Sequence, residues 1–302
     1  ALGEYPGQAD RYPVLGREFA GRVTAVHPNV TGFQVGDEVM GCADGSLATH
    51  IIAPADIVVH KPRGMTWETA AGQAVSFSTA CYALLSLARL APGESVLIHS
   101  AATGTGLAAL EIAQWVGAEV WATAGTEMKR EYLRQRGVRH VMDSRGTGFA
   151  RQVLDETGGR GVDVVLNSLG GEGMRASLES AARFGRFVEL GKRDLWMQDK
   201  MSTEPFRKGL SYYALDLLSL IAERPREFRR LLETVIGYFE AGDWRPLEVE
   251  AIATEGVRDT FHRMAQGRHQ GKVVVRLGDR KHAKICRGRK IEPHVAYLIT
   301  GG

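Results

Sequence analysis

Cysteine is scarce in this chain of 302 residues: Cys42, Cys81 and Cys286 are its three, an odd number with no short spacing between them. That speaks against a disulfide framework and fits reduced thiols in a cytoplasmic setting. Long apolar runs are missing as well. Without the ~18 consecutive apolar residues that a membrane-spanning helix needs, the sequence gives no basis for a membrane protein. Charge of one sign is not in excess either, and a formal net charge of +3 gives no reason to invoke nucleic acid or a membrane surface. The nine histidines show no HxxxH-type pairing, and zinc asks for three or four convergent N, S or O ligands. The first residues carry no leader pattern. Ala1 is not an initiator, so the expectation is a start cut from a longer chain.

What is present is ordinary globular usage, 44% hydrophobic and 24% charged, with length enough for two domains. The most telling stretch is SVLIHSAATGTGLAALEIAQ, from Ser95 to Gln114. Val96, Leu97 and Ile98 form a short apolar run fit for a buried parallel strand. Gly104 and Gly106 then let backbone amides approach a pyrophosphate at a helix N-terminus. The loop has Ala109 where a GxGxxG fingerprint would carry its third glycine, so a plain strand-turn-helix without ligand remains the alternative on this motif alone. Beyond it the alternation repeats: EVWATAG, a helical TEMKREYLRQRG, HVMD, a helical stretch to Thr157, VDVVLN, a helix near Gly173 to Arg183, and GRFVELG. This predicts an α/β fold with a doubly wound parallel sheet.

The end of the second strand selects the cofactor. An NAD site usually places a carboxylate there for the ribose 2′-hydroxyl. Here the strand ends Ala122-Thr123-Ala124-Gly125-Thr126, Glu127 already lies in the next helix, and Lys129 and Arg145 follow; Thr123, Lys129 and Arg145 are expected to contact the cofactor. No carboxylate opposes a 2′-phosphate and two cations are available to pair with it, so NADPH is expected, with solvated surface charge as the bland reading of each cation.

Before this segment the chain is glycine-punctuated and strand-like, from LGREFAGRVTAVHPN to DIVVHKP, which predicts a compact antiparallel or barrel-like unit. After it come a long helical region, roughly 211–241, and a segment ending in the strand-like GKVVVRL. Both ends of the chain are therefore expected to complete one β unit.

Seven blocks in order, VGDEVMG, VLIHSAATGTG, TGGRGVDVVLNSLGGEG, GRFVELGKRD, YYALDLL, FEAGDWRPL and GRHQGKVVV, carry a resemblance. From about Gly16 to Leu277 the chain resembles the zinc-free medium-chain dehydrogenase/reductase superfamily, and more narrowly the enoyl reductase domain of polyketide synthases, related to animal fatty acid synthase. Family loops more often read AAAGGVG, and Thr103 stands here for the first glycine. Zinc relatives carry Gly-His-Glu where this chain has Gly16-Arg17-Glu18, with only Cys42 near it. The resemblance implies a Rossmann sheet inserted into a GroES-like β-barrel substrate domain. The expected division is 1–73 for the first part of the substrate domain, 74–220 for the NADPH-binding domain, 221–278 for a long helix and return to the substrate domain, and 279–302 for a linker and the start of a ketoreductase domain. The stretch GDRKHAKICRGRKIEPH reads as a solvated tether, and VAYLITGG resembles the opening strand of a ketoreductase.

Reduction of a polarised double bond asks for hydride at the β-carbon, stabilisation of charge growing on the thioester oxygen, and a proton for the α-carbon. Lys192, just past GRFVELG, lies where a parallel sheet presents ligand-facing residues, and Asp216 in YYALDLL lies beside it if that segment forms the adjacent strand. The resemblance implies the same pair as catalytic, Lys192 as proton donor or enolate stabiliser and Asp216 as its orienting partner. It further implies cofactor contacts at Thr79, Thr103, Gly104, Thr105, Gly106, Asn167, Ser168, Gly191, Gly271 and Lys272. The bland readings are a loop lysine, a helix-capping aspartate, a helix-facing Thr79 hydroxyl and a strand-ending Asn167-Ser168 turn. His99, at the end of the first nucleotide-domain strand, is expected to be a satisfied core group. The implied partners are an acyl carrier protein bearing the enoyl substrate and adjacent synthase domains. A free-standing quinone or enone reductase and a catalytically silent NADPH-binding protein are the alternatives.

Overall fold

The computed structural model describes residues 15–191 and 203–277. Lys192, Cys286, the tether and the VAYLITGG ending lie outside the described residues. From residue 15 the chain lays down strands β1 (Glu18–Arg22), β2 (Glu38–Cys42) and β3 (Val58–His60), which pair antiparallel in that order. The glycine-punctuated segment thus forms the antiparallel unit its pattern predicted.

Helices α1 (Trp67–Ala71) and α2 (Ala74–Cys81) lead into the nucleotide half of the molecule. There β4 (Ser95–Ile98), α3 (Gly104–Val116), β5 (Glu119–Ala124), α4 (Glu127–Gln135), β6 (His140–Asp143), α5 (Gly148–Glu156), β7 (Val162–Asn167), α6 (Glu172–Glu179), β8 (Ala181–Glu189) and β9 (Ser211–Ala214) alternate. The six strands form one parallel sheet in the order β6-β5-β4-β7-β8-β9. Every residue of β4 is buried, as a strand with neighbours on both sides and helices on both faces requires. Because the chain winds from β4 outward to β6 and then returns to β7 on the other side, the order reverses between β4 and β7. The crevice beyond the carboxyl ends of those strands is where such sheets bind ligands.

Two stretches differ from the sequence pattern. The helix expected to reach Arg183 stops at Glu179, and β8 starts at Ala181, because Ala181 and Ala182 are buried against β7. An irregularity in that pairing and a positive φ of 60° at Phe184 let the strand turn past Arg183 and continue. The region 211–241 is likewise not all helix: Ser211–Ala214 pairs with β8, and only then do α7 (Leu217–Glu223) and α8 (Pro225–Ala241) follow. Two tyrosines favour the strand, Asp216 caps α7, and Pro225 opens α8 where its missing N–H costs nothing.

The chain then makes β10 (Val249–Ala253), α9 (Val257–Ala265) and β11 (Lys272–Arg276), with β10 and β11 paired in parallel. Helix α1 packs against β1, β2, β10 and β11, and so joins the two small sheets. Phe77 of α2, Phe228 of α8 and Trp244 are buried between the helices, with Trp244 stacked on Tyr238 at 4.1 Å. No described helix is long and apolar enough to cross a membrane.

Candidate active site

Helix α3 begins at the tip of β4 and brings the glycine turn to the crevice. Thr103 caps it: its hydroxyl donates to the Ser100 carbonyl (2.8 Å) and accepts from the Gly106 amide (3.4 Å). The family's glycine is thus replaced by a helix cap, a role threonine fills well. The first-turn amides of Gly104 and Thr105 point out of the helix end, as an anion site requires. Gly106 must lack a side chain, since a Cβ there would fall 2.5 Å from the Ser100 carbonyl oxygen and 2.6 Å from Ala101 Cα. A Cβ on Gly104 would fall 2.5 Å from the Lys272 side chain. Ser100 itself holds a left-handed φ of 51°, a strained conformation beside the turn.

Gly271 and Lys272 are brought to this turn. The Gly271 amide donates to the Ala102 carbonyl (3.1 Å), a bridge that runs Gly271 alongside Thr103. Lys272 lays its stem over Gly104 and ion-pairs through Nζ with Glu18 of β1. Glu18 is 9% exposed, and its second oxygen accepts from the Val75 amide at the start of α2 (2.9 Å). One carboxylate therefore ties a small sheet, α2 and the glycine turn together. Buried Cys42 lies close to both charges, and burial holds its thiol well above its ordinary value.

At the tips of β4 and β7 the Ser168 and Ser100 hydroxyls bond at 2.9 Å. Asn167 is fully buried: its amide donates to the Leu169 carbonyl (2.8 Å) and to the Glu189 carboxylate. Glu189, 2% exposed at the end of β8, also accepts from the Gly191 amide. Thr123 is the residue whose placement differs most from expectation. It is fully buried, and its hydroxyl is bonded to His99 Nδ1 (2.9 Å), so it bears on the crevice only through the core. Thr79 is half-buried on α2 and its hydroxyl donates to the Val75 carbonyl (2.7 Å).

His99 is a satisfied core group. Its Nε2 meets the Ser177 hydroxyl at 2.8 Å, and Ser177 donates onward to the Gly173 carbonyl, so Nε2 carries the proton and Nδ1 accepts from Thr123. Burial pushes its pKa down to about 3.

Beyond β5, Glu127 is engaged by Arg130 and Arg134, and Asp143 at the end of β6 pairs with Arg130 (3.1 Å). Lys129 is 8% exposed, and its ammonium has no hydrogen bond or ion pair among the described residues; burial lowers its pKa. Arg145 is exposed, its Nε 3.7 Å from where a Cβ on Gly125 would lie. Lys129 thus stands in the first turn of α4, just past Gly125 and the Thr126 cap, at a helix N-terminus open to an anion.

Asp216 follows β9, which pairs with β8 as the adjacent strand; Lys192 lies outside the described residues. One of its oxygens accepts from the Leu218 (3.0 Å) and Ser219 (3.3 Å) amides, the other from the Ser219 hydroxyl (3.0 Å). Glu18, Ser100 and Glu189 are residues around the glycine turn and crevice that the sequence did not single out. Glu18 was visible only as the last residue of Gly-Arg-Glu, and Glu189 only as part of an apolar strand.

A Rossmann-type sheet with a glycine turn at its switch point, set beside a GroES-like β unit, defines a nicotinamide-dependent oxidoreductase. Residues 2–63 match the alcohol dehydrogenase GroES-like domain family and residues 136–275 the zinc-binding dehydrogenase family. Among the described residues no three His, Cys, Asp or Glu side chains gather to hold a metal ion. The crystal structure of CurK enoyl reductase is 39% identical with a TM-score of 0.78, over 86% of this chain and 77% of that one. The nucleotide-binding subdomain of the PpsC enoylreductase domain from Mycobacterium tuberculosis is 41% identical with a TM-score of 0.56, over 58% of this chain and 97% of that one. A mycocerosic acid synthase-like polyketide synthase of Mycolicibacterium smegmatis is 40% identical over the whole of this chain, which spans 14% of that relative's length. The chain belongs to the enoyl reductases of the medium-chain dehydrogenase/reductase superfamily, enzymes that reduce carbon–carbon double bonds.

Proposed function

We propose that this chain is the enoyl reductase domain of a polyketide synthase and that it uses NADPH to reduce the α,β double bond of a 2-enoyl thioester presented by an acyl carrier protein. The observation that carries this reading is the 40% identity along the entire chain to one segment of a multidomain polyketide synthase. The choice of NADPH over NADH rests on the end of β5, where the Glu127 carboxylate is held by two arginines and the Lys129 ammonium, without a carboxylate partner among the described residues, is left for an anion. In this reading the α3 amides hold the pyrophosphate, and Lys129 with Arg145 takes the 2′-phosphate. When bound, the nicotinamide would supply the hydride for the β-carbon. Lys192 stabilises the negative charge that grows on the thioester oxygen or delivers a proton to the α-carbon, and Asp216 holds the ammonium in place and charged. Neighbouring synthase domains, a ketoreductase among them, are the structural partners.

The test is NADPH oxidation with a 2-enoyl pantetheine thioester set against a quinone. Thioester-dependent turnover is expected. Turnover of quinones alone would make the protein a reductase of diffusible substrates, and NADPH binding without turnover of either would leave a silent binding protein.

A further inference from the structure

The bridge between Gly271 and Thr103 carries the preceding residues of the chain along the outside of the glycine turn. Two positions upstream stands His269. Its Nδ1 is buried and has no hydrogen-bond partner. The ring is close enough to Lys129 of α4, Arg263 of α9 and Glu250 of β10 to feel all three charges. Glu250 is already ion-paired with Arg263, whereas Lys129 has no carboxylate among the described residues. An imidazole with an open, buried nitrogen therefore stands within electrostatic range of the Lys129 ammonium, in the first turn of the helix that follows β5. Two groups that repel one another when charged are favoured together once an anion joins them.

We propose that His269 is the third member of the pocket for the 2′-phosphate of NADPH, its ring and the Lys129 ammonium converging on the same dianion. The inference rests on the NADPH reading above and adds to it a residue from far along the chain. Burial, reinforced by the Lys129 and Arg263 charges and opposed by Glu250, holds the imidazole below its usual range. The ring is therefore neutral at neutral pH until an anion arrives. A phosphate dianion favours the protonated ring, so binding takes up a proton and tightens as pH falls, down to ~6 where the phosphate itself is protonated.

The experiment is fluorescence titration of the protein with NADPH and with NADH, from about pH 8.5 to about pH 6.5. The wild type is expected to prefer NADPH, and the preference to grow as pH falls. His269→Ala should weaken NADPH about tenfold, the scale of one charged hydrogen bond, and leave NADH unchanged; His269→Lys should retain NADPH affinity with a flat pH dependence. A wild type without preference overturns the NADPH reading and this inference with it. A wild type that prefers NADPH while His269→Ala leaves the preference intact, or weakens both cofactors equally, overturns the inference alone.

Discussion

Asp216 has two separable jobs. Its carboxylate caps α7 through two amides and a hydroxyl, and in the proposed chemistry its charge also orients Lys192. Asparagine caps a helix as well as aspartate does but carries no charge, whereas alanine does neither. Asp216→Asn should therefore keep its stability to within about 0.5 kcal/mol and lose thioester turnover, while Asp216→Ala loses turnover and about 1 kcal/mol of stability as well. Lys192→Ala should cost ~3 kcal/mol of transition-state stabilisation, about two orders of magnitude in kcat, with NADPH affinity retained. Denaturant melts and steady-state kinetics of the three variants separate the jobs; full turnover in Asp216→Asn would reduce Asp216 to a cap. The cap was among the readings open to spacing. The partnership with Lys192 needed the resemblance, since charged side chains in loops say little by themselves.

His99 is where separate elements are locked together. Its two ring nitrogens join β4 to β5 through Thr123 and to α6 through Ser177, a closed network with every group satisfied. The folded protein holds the ring neutral, with a pKa of about 3 against the ordinary value of 6.5. Folding is therefore favoured fully above about pH 6.5, and the advantage is lost as pH falls from there toward about 3, where the folded ring must also protonate. Stability should drop by up to roughly 1.4 kcal/mol per pH unit across that window from this one group. Urea unfolding at several pH values measures the slope; His99→Asn, though less stable at neutral pH, should show a shallower one. An equal slope in wild type and variant would place the acid sensitivity elsewhere. The elements themselves were largely readable, because β4, β5 and β7 are short apolar runs between turns. The end of α6 and the strand within 211–241 were not, since Ala181–Ala182 and Tyr212–Tyr213 become strand only by pairing beside β7 and β8.

At the scale of the molecule, the small sheets are tied to α2 and to the glycine turn by polar contacts between residues far apart in sequence. Glu18 bonds Lys272 and the Val75 amide, and the Gln73 side chain pairs with both the amide and carbonyl of Leu247. Such contacts leave no periodic trace in a sequence, which is why the glycine turn was legible and the Glu18 link and the His269 ring were not. Thr123 sits on a strand expected to face the cofactor, and only the fold shows its side chain turned inward to His99. In the proposed chemistry an enoyl thioester meets the nicotinamide at the carboxyl ends of β4 and β7. The most direct test of that account is to supply NADPH deuterated at nicotinamide C4 with a 2-enoyl pantetheine thioester and locate the label in the product. The account predicts deuterium on the β-carbon and a solvent-derived hydrogen on the α-carbon. NADPH consumed with no deuterium in the acyl chain, or no saturated thioester formed, would contradict it.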